Sequence, residues 1–168
     1  MKKYILPILV LLAIIAVIFV WLGGSSSLEY SLVEQEEIAL YGYEYRGRPT
    51  QPELEKLFFK VRDASSFETG RFLTIISYGT EAEVDTLYQF IGTQHSSFNA
   101  DSSVQKIVEG GQFVQVTLDM HAMVRPSPAN VRKGAVDFAR DKGLQVADWN
   151  LEIFTAEDVL TVLFPVVD

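Results

Sequence analysis

No cysteine occurs anywhere in the 168-residue chain. Disulfides, thiolate catalysis, zinc ribbons and a lipidated cysteine are therefore excluded, and the absence suits an oxidising compartment. Histidine is almost as scarce. His95 and His121 are the two in the chain, and neither lies at helical or hairpin spacing from another ligand type, so no metal site and no cofactor are expected. A haem-binding reading would have only these two imidazoles to offer as axial ligands. His121 and Asp119 share a strand face, which reads as sheet surface. No nucleophile elbow, phosphate-binding loop or dinucleotide fingerprint appears. Positive charge is also in short supply, with 14 Lys and Arg against 22 Asp and Glu. Lys2 and Lys3 precede an apolar segment, and the rest of the chain carries 12 basic against 22 acidic residues, a formal charge of −10. Such a surface repels phosphate backbones, so no nucleic-acid partner is expected. A cationic or neutral ligand, or a basic protein patch, remains compatible.

The charge-free run from Tyr4 to Leu22 is what the chain has in abundance. Its 19 residues include 14 Ile, Leu, Val or Phe. As a helix it would span roughly 29 Å, close to the ~30 Å hydrocarbon core of a bilayer. On insertion scales those apolar residues contribute roughly 4–8 kcal/mol as an upper bound. Pro7 falls in the first turn and Trp21 at the far boundary, where each is tolerated or favoured. A cleaved signal peptide would have a shorter apolar region followed by an A-x-A site, and none follows. The expectation is a retained single-pass anchor over residues 1–24, a Gly/Ser tether over 25–30 and one domain over 31–168. Lys2 and Lys3 lie before the anchor and Glu29, Glu34, Glu36 and Glu37 after it. The positive-inside bias then puts the N-terminus in the cytoplasm and the domain outside it, in the periplasm if the source is bacterial.

Periodicity organises the domain. Ile38–Arg46 alternates, with Tyr41, Tyr43 and Tyr45 on one face, and reads as a strand. Thr50-Gln-Pro-Glu53 has capping-box spacing, and Leu54, Leu57, Phe58 and Val61 follow at helical spacing. Phe72–Tyr78 and Leu87–Thr93 read as strands, with polar loops at Glu81–Asp85 and Asn99–Ser103. The order then recurs. Phe113–Ala122 alternates, Ser127-Pro128 starts a helix, Gly143 ends it, and Trp149–Phe154 and Leu160–Val167 close as strands. Glu34–Glu37 reads as a solvated entry to the first strand. The expected fold class is α+β: two β-α-β-β repeats forming one antiparallel sheet with two helices packed on one face, plus the N-terminal transmembrane helix.

At this level the residues resemble a known family. Val33–Gly47 is similar to the opening strand of GyrI-like small-molecule-binding domains, and Phe90-Ile-Gly92 to their mid-domain strand. Gly110-Gly-Gln-Phe-Val114 resembles the entry to their second repeat, and Leu151-Glu-Ile-Phe154 with Leu160–Val166 their paired final strands. An N-terminal membrane helix followed by such a domain is the layout of a membrane-anchored branch. The resemblance implies a cleft between the two repeats, with aromatic walls and a central carboxylate, that binds amphipathic and often cationic molecules. The family's carboxylate position, four residues before the Pro of the last strand, is occupied here by Thr161. Glu152 matches a Glu common in the preceding strand.

The resulting site candidates are Tyr41, Tyr43, Tyr45, Trp149, Glu152, Phe154 and Thr161. The tyrosines would wall a ligand or pack beneath the helices. Trp149 and Phe154 beside Glu152 would form an aromatic box for a cation, or core. The leading expectation is a non-enzymatic, membrane-anchored module for a small amphipathic molecule or a protein partner. The alternatives are a tethered hydrolase of a reactive small molecule, with Glu152 assisted by Tyr43 and Trp149, and an interaction domain whose cleft is closed.

Overall fold

The computed structural model describes residues 5–65, 70–79, 86–94, 98, 103–155 and 159–167. The fold is α+β: one large antiparallel sheet and three helices. Helix α1 spans Ile5–Trp21, and strands β1 (Tyr30–Gln35) and β2 (Ile38–Gly47) follow. Helix α2 (Pro52–Ala64) leads to β3 (Leu73–Tyr78), β4 (Leu87–Thr93), β5 (Val104–Val108) and β6 (Gly111–Asp119). A 3₁₀ turn at Ala122–Val124 precedes α3 (Pro128–Asp141), and β7 (Gln145–Val146), β8 (Asn150–Phe154) and β9 (Val159–Val167) end the chain. His95, the loop at 81–85 and residues 99–102 lie outside the described residues.

Local chemistry accounts for the helix ends. Ser127 caps α3 through its Oγ, which accepts from Asn130 N–H at 3.3 Å, and Pro128 occupies the first turn. Gly143 follows the C-cap in the left-handed region, φ +73°, which costs a glycine little. The start of α2 differs from the capping box expected at Thr50. Its N-cap is Gln51, whose side chain does not cap. The Gln51 Oε1 instead accepts from Tyr45 Oη at 2.8 Å and Arg48 N–H at 3.3 Å, fastening the β2–α2 turn.

Each repeat gains a strand that the sequence reading lacks. Glu34 is solvent-exposed as expected but belongs to a strand of its own, β1, and β5 precedes β6 in the same way. The two extra strands are exchanged: β1 pairs with β6 of the second repeat, and β5 with β2 of the first. The sheet order is β1-β6-β9-β8-β3-β4-β2-β5, with β7 on β9. Only Glu36–Glu37 separates β1 from β2, and only Glu109–Gly110 separates β5 from β6. A Cβ on Gly110 would come within 2.9 Å of the Gln35 carbonyl oxygen. The two edges of the sheet are thus joined by short connections that touch, and the sheet curls upon itself.

Both faces are consequently buried, where one was expected to be. On the outer face, α3 covers Val114, Val116, Leu118, Val162 and Phe164, and α2 covers Tyr43, Leu73, Ile75 and Ile91. The inner face packs Leu40, Ile76, Phe90, Phe113, Leu151 and Leu163 against one another across the curl. Phe90 is 0% exposed with no helix over it. Gly42 and Gly92 are cross-strand partners on this face. A Cβ on Gly42 would run into the Ile91 carbonyl, and one on Gly92 into the Phe90 ring. Two glycines at this crossing let the strands approach closely enough to bend.

No helix among the described residues is long and apolar enough to cross a membrane. Helix α1 has 17 described residues, about 26 Å at the α-helical rise. It is apolar on every side, and its side chains from Ile8 to Val20 are turned outward rather than onto the domain. Trp21 is 83% exposed. Its end is nevertheless docked. His121 N–H donates to the Leu22 carbonyl at 3.2 Å, and Gly23, at φ +85°, lies against Met120.

Candidate functional site

Strand β8 occupies the middle of the sheet, where the two repeats meet. Alternation sends Asn150, Glu152 and Phe154 to the outer face and Leu151 and Ile153 inward. Glu152 lies between Ile75 of β3 and Val162 of β9, residues that belong to the α2 and α3 clusters respectively. Phe154 packs against both clusters, its ring edge-on to Phe58 of α2 at 6.5 Å and 82°. The carboxylate therefore sits on the floor of the gap between the two helices.

Its surroundings leave it under-satisfied. Asn150 Nδ2 donates to Glu152 Oε1 at 3.3 Å, a long contact. Burial pushes the Glu152 carboxyl above the usual carboxylate range, while the Asn150 hydrogen bond and the Arg125 charge oppose that shift. Arg125 approaches from the loop before α3. Its Nε–H donates to the Met120 carbonyl at 3.2 Å, and its Nη2 is buried without a hydrogen-bond partner among the described residues. The ion pairs among the described residues are Arg62–Asp63, Lys133–Asp137 and Arg140–Asp137, all away from this site. Arg125 thus biases Glu152 electrostatically without closing on it. A cavity of about 520 Å³ under the first turn of α2 is lined by Leu54, Phe58, Ile75, Gln89 and Ile91. It adjoins the carboxylate through Ile75.

The candidate residues separate between the two faces. Tyr41, Tyr43 and Tyr45 share the outer face as expected from alternation. Tyr43 and Tyr45 are 7% and 6% exposed, so they pack under α2 and do not wall an open cleft. Tyr43 meets Phe98 edge-on at 5.8 Å with the Lys60 ammonium 4.7 Å from its ring centre. The Tyr45 hydroxyl serves the β2–α2 turn, its single proton shared between Gln51 Oε1 and the Arg48 carbonyl, the latter at 2.7 Å. Trp149 packs with the inner-face cluster. Thr161 pairs with Ile153 and shares its inward face. Neither can meet a ligand held at Glu152, because the sheet lies between. The structure thus brings Glu152 and Phe154 together and separates them from Trp149 and Thr161. The box of Trp149, Phe154 and Glu152, and the set of Glu152, Tyr43 and Trp149, do not assemble.

Asn150 and Arg125 were not singled out by sequence. Asn150, two residues before Glu152, is found by alternation once the strand is known. Arg125 carries no such signal, since its place depends on the loop between β6 and α3. No cluster of His, Asp or Glu suited to a metal occurs among the described residues.

No protein-family model and no curated protein matches the chain. Solved structures do. The C-terminal domain of EcmrR matches at a TM-score of 0.59 and 13% identity, covering 85% of this chain and 99% of that one. EcmrR in a complex with DNA matches at 0.58 and 14%, covering 98% of this chain and 68% of that one. SAV2435, solved with tetraphenylphosphonium bound, matches at 0.51 and 11%, covering 83% and 94%. A hydrolase from Listeria innocua matches at 0.57 and 11%, covering 83% and 92%. The fold of this chain is accordingly the one shared by the C-terminal domain of EcmrR and by SAV2435.

Proposed function

We propose that this chain is a membrane-anchored, non-enzymatic binding module that takes a small amphipathic molecule into the gap between α2 and α3. The observation that carries the reading is Glu152: a carboxylate on the floor of an interhelical gap, held by one long hydrogen bond, with Phe154 next on its strand face and edge-on to Phe58. A half-buried acceptor with a single long hydrogen bond gains from a donor or a cation brought by a ligand. Apolar groups of the same ligand would lie on Phe154 and in the adjoining cavity, whose size suits a small molecule. SAV2435 shares the fold and is solved with a lipophilic cation. Isothermal titration of the full chain in detergent with tetraphenylphosphonium tests this. Saturable one-to-one binding, weakened at least about tenfold by Glu152→Ala, is expected, since a carboxylate about 6 Å from a desolvated cation attracts it by roughly 3 kcal/mol at an effective dielectric constant of about 20. Equal binding by parent and variant rules the reading out.

A second reading, hydrolysis, has one observation in its favour. A Glu whose carboxyl is held above its usual range by burial suits general acid–base chemistry, and a structural neighbour is a hydrolase. The separation of Trp149 and Tyr43 from Glu152 removes the helpers this reading invoked. The acidic surface opposes direct contact with phosphate backbones, which supports a partner other than nucleic acid.

The anchor reading rests on α1, whose apolar surface faces outward along its length. Lys2 and Lys3 before it and the glutamates after it favour a cytoplasmic N-terminus and an extracytoplasmic domain. Washing membranes with alkaline carbonate is expected to leave the full chain in the pellet. Release into the supernatant would remove the anchor.

A further inference from the structure

The curl of the sheet has a mouth of its own, on the face opposite Glu152. A cavity of about 420 Å³ opens there between the end of β3, the β5–β6 connection and the C-terminal part of β9. Ile76 and Pro165 line it together with the rings of Phe113, Trp149 and Tyr78, and Lys106 stands among its walls. It shares no residue with the cavity beneath α2. It also lies at the end of β6 away from α1: Gly111 borders it, and Met120 beyond the other end holds the anchor. Strand β6 from Gly111 to Asp119, 9 residues long, sets the two apart by roughly 30 Å at the antiparallel rise.

Two polar groups stand side by side at this mouth. The Tyr78 hydroxyl is buried, and no acceptor takes its proton among the described residues. Its ring stacks on Tyr88 at 4.6 Å and 25°, which holds it in place. The Lys106 ammonium is 5.3 Å from the Tyr78 ring centre and makes no ion pair among the described residues. The ammonium stands in reach of the hydroxyl oxygen, which leaves the O–H and the remaining N–H groups as donors for one shared acceptor. Trp149 and Phe113 offer flat apolar area beside them. Glu44, whose charge acts on both Lys106 and Tyr78, and Glu109 at the rim are exposed, where solvent screens them.

The geometry points to a second binding site in this mouth, for a flat aromatic molecule bearing one anionic oxygen group such as a carboxylate. The anion would accept from Lys106 Nζ and Tyr78 Oη, and the ring system would lie against Trp149. Mouths of closed or nearly closed sheets are recurrent ligand sites, and this volume falls in the usual range. The site is chemically the converse of the one at Glu152, which offers an acceptor to a donor-bearing ligand. The two would therefore be filled independently.

Trp21 and Trp149 are the two tryptophans of the chain, so Trp21→Phe leaves Trp149 as the sole indole reporter. In that full-length background in detergent, 2-naphthoate is expected to change the indole emission saturably. Lys106→Ala should weaken binding at least tenfold and Tyr78→Phe several-fold. Glu152→Gln should leave it unchanged, and the neutral 2-naphthalenemethanol should bind much more weakly. Lys106 lies on an edge strand, and an unchanged melting temperature for its variant shows that folding is intact. Absence of saturation would overturn the site. So would loss of binding on Glu152→Gln, or equal affinity for the acid and the alcohol.

Discussion

Phe90→Ala is expected to destabilise the domain by about 3–5 kcal/mol, the usual cost of deleting a buried aromatic ring. Most of a typical domain's net stability of roughly 5–15 kcal/mol would go with it. The size of this effect comes from the curl. In a flat sheet with helices on one side, Phe90 would point to solvent and its loss would be nearly free. Here it is 0% exposed and packs with Leu40, Ile76, Leu151 and Leu163 from four other strands. Its ring also passes over Gly92, which has no side chain to prop it away. Ile107, 52% exposed on the edge strand β5, is the internal comparison, and Ile107→Ala should stay within about 0.5 kcal/mol of the parent. Urea denaturation of the full chain in detergent measures both, as a lower midpoint at an unchanged slope. Equal midpoints for the two variants would show that the inner face is open.

The second large effect is a pH dependence that Glu152 alone should impose. Burial, the largest cause, holds its carboxyl above the ordinary glutamate range, with Asn150 and Arg125 pulling the other way. In the unfolded chain the group loses its proton at lower pH than in the folded one. Between the two values the folded state binds more protons, so stability falls as pH rises through that window and is level above it. Below the unfolded value Glu152 contributes no pH dependence. Glu152→Gln removes the falling limb. Melting temperatures taken from about pH 4 to about pH 8 should converge for parent and variant in acid and separate toward neutrality, the variant melting higher. Arg125→Ala should deepen the parent's decline, because it removes a charge that favours the carboxylate. Parallel curves for parent and Glu152→Gln would mean that the carboxylate is solvated. A cationic ligand acts on the same equilibrium from the other side: it favours the ionised form, so its affinity should rise with pH across the same window.

Much of the domain was legible because its periods are clean. The alternation of Ile38–Arg46 put three tyrosines on one face, and the Ser127-Pro128 start and Gly143 end delimited a helix to within a residue. Short and polar elements were not legible. Tyr30–Gln35 and Val104–Val108 form strands because a partner in the other repeat supplies their hydrogen bonds. Nothing in Glu34 or Lys106 announces that. The same distance between local pattern and tertiary partner separated Glu152 from Trp149 and Thr161. Alternation assigns each residue a face within its own strand. Only pairing to β3 and β9 decides which face of β8 looks toward the helices.

The sequence by itself determined the composition-level facts: no thiol chemistry, scant imidazole, an acidic domain, one apolar N-terminal segment and a duplicated strand–helix–strand order. Those follow from side-chain chemistry and from periods of two and about 3.6, which are local properties. Only the tertiary structure decided that the duplicated units exchange strands, that the sheet closes on an inner core, and that Arg125 lies near Glu152. Each of these depends on residues far apart in the chain meeting in space, and on which polar groups are left unpaired when they do.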